Sequence, residues 1–201
     1  MGYYTRVLTT TEACVPVGQL QGTLEEERNR AVIKVASGSE SDWEQLILMH
    51  RNGPDIAIIE RSPVFDGSLG SEELDEFGDT LQEGLPSSAA EWLRAYFPKV
   101  KCIYAFQHLK GTDEENGFAA LNALRNEIWS VAPAILQADH EGFSNEAGYH
   151  ILWQFSDNVN GDWWMGVLRD GEWVHFQMDL GNREHREAFL RGEVPDGMRR
   201  A

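Results

Sequence analysis

Cationic side chains are scarce in this sequence: 17 Lys and Arg stand against 33 Asp and Glu, a formal charge of −16. Direct nucleic-acid binding is therefore not expected, because its main term comes from Lys and Arg facing phosphates. An anionic membrane surface is disfavoured for the same reason. Cysteine is nearly absent. Cys14 and Cys102 have neither a metal-ligand spacing nor a disulfide framework, and they read as reduced, partly buried thiols in a reducing compartment. No apolar run approaches the ~18 residues of a membrane helix. Met-Gly-Tyr-Tyr-Thr-Arg lacks the apolar stretch of a signal peptide, and Val7 stands where a myristoylation signal requires Ser or Thr. These absences point to the cytoplasm, as for many acidic bacterial proteins.

Catalytic signatures are missing too. There is no Gly-x-Gly-x-x-Gly, Walker A, His-Glu-x-x-His or paired Cys-x-x-Cys. Gly142-Phe143-Ser144-Asn145-Glu146 is not the Gly-x-Ser-x-Gly of a nucleophile elbow. The sequence calls for no cofactor and leans away from an enzyme.

What is present is an ordinary globular balance, 42% hydrophobic and 25% charged, with seven Trp. Period-2 and period-3.6 patterns alternate along the chain, which predicts an α+β fold of antiparallel sheets flanked by helices. Strands are expected at Tyr3 to Thr10, Ala31 to Ala36, Trp43 to His50, Asp55 to Glu60, Lys101 to Leu109, Trp163 to Leu168 and Glu172 to Leu180. Asn52-Gly53 and Asp170-Gly171 are favoured hairpin turns, since these residues tolerate positive φ. Pro16 opens a helix carrying Val17, Leu20 and Leu24, which ends in the solvated run Glu25-Glu26-Glu27. Ser71 is expected to cap a helix with Leu74, Phe77, Leu81 and Leu85 inside. Ser88 with Glu91, and Thr112 with Glu115, have the spacing of capping boxes. Asn182 caps a last helix that Gly192 stops, leaving a loose tail from Val194.

The element order suggests one compact domain of two similar βαβββ(α) halves. These are residues 1–67 and 98–201, joined by a helical connector at 68–97, with an inserted strand at 135–141 in the second half. That order resembles the strand–helix–three-strand modules of the vicinal-oxygen-chelate enzymes, which place metal ligands on the first and last strands. Glu60, His108 and Asp179 fall near such places. Tyr3, Tyr4, Thr5 and Arg6 stand where the first His would be, so the likeness implies no ligand set, and fold alone does not carry function.

The densest mixture of polar and apolar groups is Ile135 to Phe155, read as a hairpin. Its candidate site is Gln137, Asp139, Glu141, Ser144, Asn145, Glu146 and His150. Alternation would place Asp139 and Glu141 on one strand face, where paired carboxylates perturb each other and suit acid–base work or a hard cation. A second candidate is the acidic face Glu72, Glu73, Asp75, Glu76 and Asp79 near a helix N-terminus. Two functions follow. The first is an acidic protein-interaction module, of the inhibitor or immunity type, covering a basic partner protein. The alternative is a small enzyme or ligand-binding protein using Asp139 and Glu141, with or without a divalent metal. Neither reading fixes an oligomeric state.

Overall fold

The computed structural model describes residues 2–26 and 30–200. Along the chain run β1 (Tyr4–Thr9), α1 (Val17–Glu26), β2 (Ala31–Gly38), β3 (Trp43–His50), β4 (Asp55–Pro63), α2 (Leu69–Thr80), α3 (Ser87–Tyr96), β5 (Cys102–His108) and α4 (Gly117–Ser130). Then come β6 (Ala134–Ala138), β7 (Gly142–Ser144), β8 (His150–Trp153), β9 (Asp162–Arg169), β10 (Glu172–Asp179), α5 (Arg183–Leu190) and β11 (Arg199–Arg200). The fold is α+β, and within each of its two units the strand pairings are antiparallel, apart from the parallel pairing of β8 with β9. No helix among the described residues is long and apolar enough to cross a membrane. The chain forms two compact units. Met1–Ser71 with Val100–Ala134 make the first, and Glu72–Lys99 with Ile135–Ala201 the second.

In the first unit the strands lie in the order β1-β5-β4-β3-β2. The register of β1 on β5 runs from Tyr4 opposite Gln107 to Thr9 opposite Cys102. Cys102 through Phe106 are all buried, as befits a strand paired on both edges and covered on both faces. Leu20 and Leu24 of α1 are fully buried, and Trp43 fixes the approach to that helix by donating Nε1–H to the Val15 carbonyl at 2.8 Å. Both cysteines are free, and burial pushes the Cys102 thiol up to about 12 against the opposing pull of the Arg61 guanidinium. Glu25 and Glu26 are exposed at the end of α1, whereas Glu27 lies outside the described residues.

Several local expectations give way to stronger constraints. The turn between β3 and β4 takes four residues, and neither Asn52 nor Gly53 adopts positive φ. Pro54 disfavours helical backbone at the preceding Gly53, whose N–H donates to the His50 carbonyl at 3.3 Å. α2 starts at Leu69, so Ser68 rather than Ser71 caps it. The Ser68 Oγ accepts the Ser71 N–H at 3.1 Å. Leu81 leaves the helix for a 3-10 turn, and Leu85 is exposed beyond it. α3 begins after Pro86 without a side-chain cap, so Ser88 and Glu91 form no capping box. Thr112 sits in a 3-10 turn and donates to the Ile56 carbonyl, while α4 opens after Asn116.

In the second unit the order is β6-β7-β8-β9-β10-β11. Asp170 and Gly171 take φ of 50° and 84°, so this turn forms as its residues dictate. One face of β9 and β10 presents Met165, Val167, Phe176 and Met178 to Leu180 and to Phe189 of α5. Asn182 caps α5, its Oδ1 accepting the N–H groups of Glu184 and His185, and Gly192 stops it at φ 75°. The segment after Val194 is not loose. Val194 and Met198 pack on this core, and Arg199 and Arg200 pair with Gln177 and Phe176 of β10.

Candidate functional site

The stretch 135–155 is a meander of three short strands rather than one hairpin. β6 ends at Ala138, residues 139–141 turn, and β7 starts at Gly142. Asp139 and Glu141 therefore belong to a turn, not to one strand face. His140 takes φ 62° and Gly142 φ 120°, which lets the chain reverse within so few residues. Gln137 is buried on β6 opposite Phe143, and Ser144 stands opposite His150. Glu146 is exposed at the next turn. Among the described residues, no group of three or more His, Cys, Asp or Glu could hold a metal ion.

Asn145 organises the turn between β7 and β8. It is 1% exposed. Its Oδ1 accepts the N–H of Ala147 at 3.1 Å and of Tyr149 at 3.0 Å, an arrangement that replaces backbone partners in a tight loop. Its Nδ2 lies 3.3 Å from His175 Nε2 on β10. Donation by the amide makes that ring nitrogen the acceptor and puts the imidazole proton on Nδ1. Asn145→Ala removes all three contacts at a buried position. It is expected to destabilise the protein by about 2 kcal/mol in urea denaturation, and a loss under about 0.5 kcal/mol would refute the role assigned to it.

Because neighbouring strand residues point to opposite faces, the turn sends Tyr149 and His150 apart. Tyr149 stacks on His175 with ring centroids 3.6 Å apart and planes 6° from parallel, and it meets Trp164 edge-on at 6.0 Å. Burial draws the His175 pKa below its ordinary value, which disfavours the charged form of the stacked ring. Gly166, the residue opposite His175, makes room for the stack. A Cβ there would lie 3.3 Å from His175 Cδ2 and 3.5 Å from Tyr149 Cβ. Trp92 of α3 stacks on Tyr96 at 5.1 Å and covers Trp173 edge-on at 5.2 Å. Burial, and then the Glu146 carboxylate, raise the Tyr96 phenol above its usual range. The Trp164 end of the same face stays open, its indole 37% exposed.

His150 lies on the other side. It is 3% exposed, its ring 4.7 Å from Phe155 and 5.8 Å from Trp163, and its Nε2 has no hydrogen-bond partner. Burial lowers its pKa to about 4, against the backbone carbonyls of Leu152 and Glu141, which favour the charged ring. The structure thus divides the polar cluster. Asn145 is a scaffold, His150 is an interior group, and Glu146 is a surface carboxylate.

Sequence reasoning missed Tyr149, Trp164, His175 and Arg199. A glycine inside β9 was the available signal, since Gly in a strand marks a close approach. Comparison with protein-family models, curated proteins and solved structures finds no match to this chain, so its chemistry is read from its own geometry.

Proposed function

We propose that this chain is an acidic protein-interaction module, of the inhibitor or immunity type, that binds a basic partner protein without catalysing a reaction. The observation that carries this reading is the outer face of α2. Glu72, Asp75, Glu76 and Asp79 are exposed on it, and none makes an ion pair among the described residues. Glu73 shares that face but is partly buried. Four uncompensated carboxylates on one helix, within a chain of net charge −16, attract cationic surfaces and speed their encounter. Cys14 and Cys102 as free thiols suit work in a reducing compartment such as the cytoplasm.

We also infer an internal duplication. The pairs β1–α1 and β5–α4 are its support. The two strands pair antiparallel, and the two helices pack together, Gln19 Nε2 donating to Glu127 Oε1 at 2.6 Å.

The test is titration of a labelled arginine-rich peptide by fluorescence anisotropy. Wild type is expected to bind at about 0.1 M salt and to lose affinity at least tenfold near 1 M, where the Debye length shrinks to about 3 Å. The variant E72Q/D75N/E76Q/D79N is expected to associate about tenfold more slowly. Absence of binding by wild type at low salt would overturn the reading.

A further inference from the structure

We propose that the open sheet face around Trp164 is a seat for an arginine side chain of the partner, and that the chain's own Arg199 occupies that seat when no partner is present. This inference rests on the basic-partner reading and adds to the α2 face a seat for one side chain of that partner.

The face is set by register. Asp162 stands opposite Asp179, Trp164 opposite Gln177 and Gly166 opposite His175, and Arg199 of β11 pairs with Gln177. Residues 163, 165 and 167 belong to the core side, so period-2 alternation puts Asp162, Trp164 and Gly166 together on the outer side. Their partners Asp179, Gln177 and His175 share that side. Tyr149 lies perpendicular to the indole, which holds its orientation, and Trp164 is still 37% exposed. α3 shields Trp173 but leaves Trp164 open.

Two observations give the occupant its chemistry. First, Asp162 and Asp179 are like charges directly opposite each other across the hairpin, an arrangement that costs stability. Both are exposed and neither makes an ion pair among the described residues, although one Asp179 oxygen accepts the Gly181 N–H at 2.8 Å. Two carboxylates beside an exposed indole match a planar guanidinium, which can stack on the ring while its N–H fork reaches acceptors. Second, a guanidinium is already there. The Arg199 Cζ lies 5.9 Å from the Trp164 ring centroid. Arg199 is exposed and is held by a strand of two residues, so its departure disturbs little of the fold. A resident cation on so short a tether is a competitor that an incoming arginine can displace.

The experiment uses the full chain, the same arginine-rich peptide at about 0.1 M salt, and a lysine-rich peptide of equal length. R199A is expected to bind the arginine-rich peptide about threefold more tightly, because the resident competitor is gone. W164A and D162N/D179N are each expected to weaken it about threefold or more, and W164F, which keeps an aromatic face, to weaken it less. The lysine peptide is expected to bind less tightly than the arginine peptide. The Trp164 indole Nε1–H resonance, assigned by its loss in W164F, should shift during titration of wild type, which keeps the test open if W164A folds poorly. Wild-type binding that is unchanged in R199A and in W164F, with an unmoved Trp164 resonance, overturns the seat while leaving the basic-partner reading intact. No binding to any chain overturns both.

Discussion

Gly142→Ala is expected to destabilise the protein by about 3 kcal/mol or more, the largest effect of any single methyl group in the second unit. Two causes act together. Gly142 has φ 120°, a conformation closed to residues with a Cβ. A Cβ built there would lie 2.0 Å from the Leu152 carbonyl oxygen, which belongs to backbone and cannot swing aside. Relief requires β7 to move off β8, which breaks the pairing of Gly142 with Trp153 and of Phe143 with Leu152. Gly161 is the internal control. It also has positive φ, 97°, but a Cβ would meet nothing within 4 Å, so Gly161→Ala is expected to cost only about 1 kcal/mol. Urea denaturation of both variants is the measurement. A Gly142→Ala midpoint close to that of Gly161→Ala would refute the steric argument.

His150 gives the second large effect, and its sign follows from linkage. The imidazole has a pKa of about 4 when folded and an ordinary value of 6.5. Between these values the unfolded chain takes up a proton that the folded chain refuses, so stability falls as pH falls from about 6.5 to about 4. Above that window the contribution is constant, and below it both states are protonated and no further loss arises from this residue. The separation corresponds to roughly 3 kcal/mol. His175 shifts in the same direction and carboxylates titrate near the lower end, so the informative quantity is the difference between wild type and His150→Leu. Urea denaturation across that range should show a shallower pH slope for the leucine variant. Equal slopes would mean that His150 is not held neutral in the fold.

Much of the architecture was legible from residue pattern. β3 falls on Trp43–His50 as its alternation predicts, and Asp170-Gly171 makes the hairpin turn its dihedral freedom allows. Asn182 and Gly192 bound α5 because each acts alone, through one side chain or one dihedral. The failures have a common cause. Ser71, Ser88 and Thr112 have the right chemistry for caps, but a cap works only where the helix begins. Those beginnings were set by Ser68, by Pro86 and by the turn before Asn116. Gly142 opens a strand because its φ permits an abrupt reversal, which the residue pattern by itself does not reveal. Asn145 and His150 were legible as polar residues beside apolar ones, but not the division of labour between them, since that depends on which face of β8 each neighbour takes. The face of Trp164, His175 and Arg199 was out of reach for a further reason. It requires the mutual register of β9, β10 and β11, and the two-residue β11 carries no periodicity at all.

The first unit is assembled from two separated stretches of chain, and this bears on the order of events during synthesis. β1 emerges first, yet its partner β5 is among the last elements of that unit, with Tyr4 waiting for Gln107. The β2-β3-β4 meander can close locally, but β1 stays without its β5 ladder until most of α2 and α3, which belong to the second unit, has left the ribosome. Closing so long a loop makes this pairing a slow, late event. A nascent chain stalled before β5 therefore exposes an apolar strand edge, a species prone to aggregation and one that a chaperone would recognise.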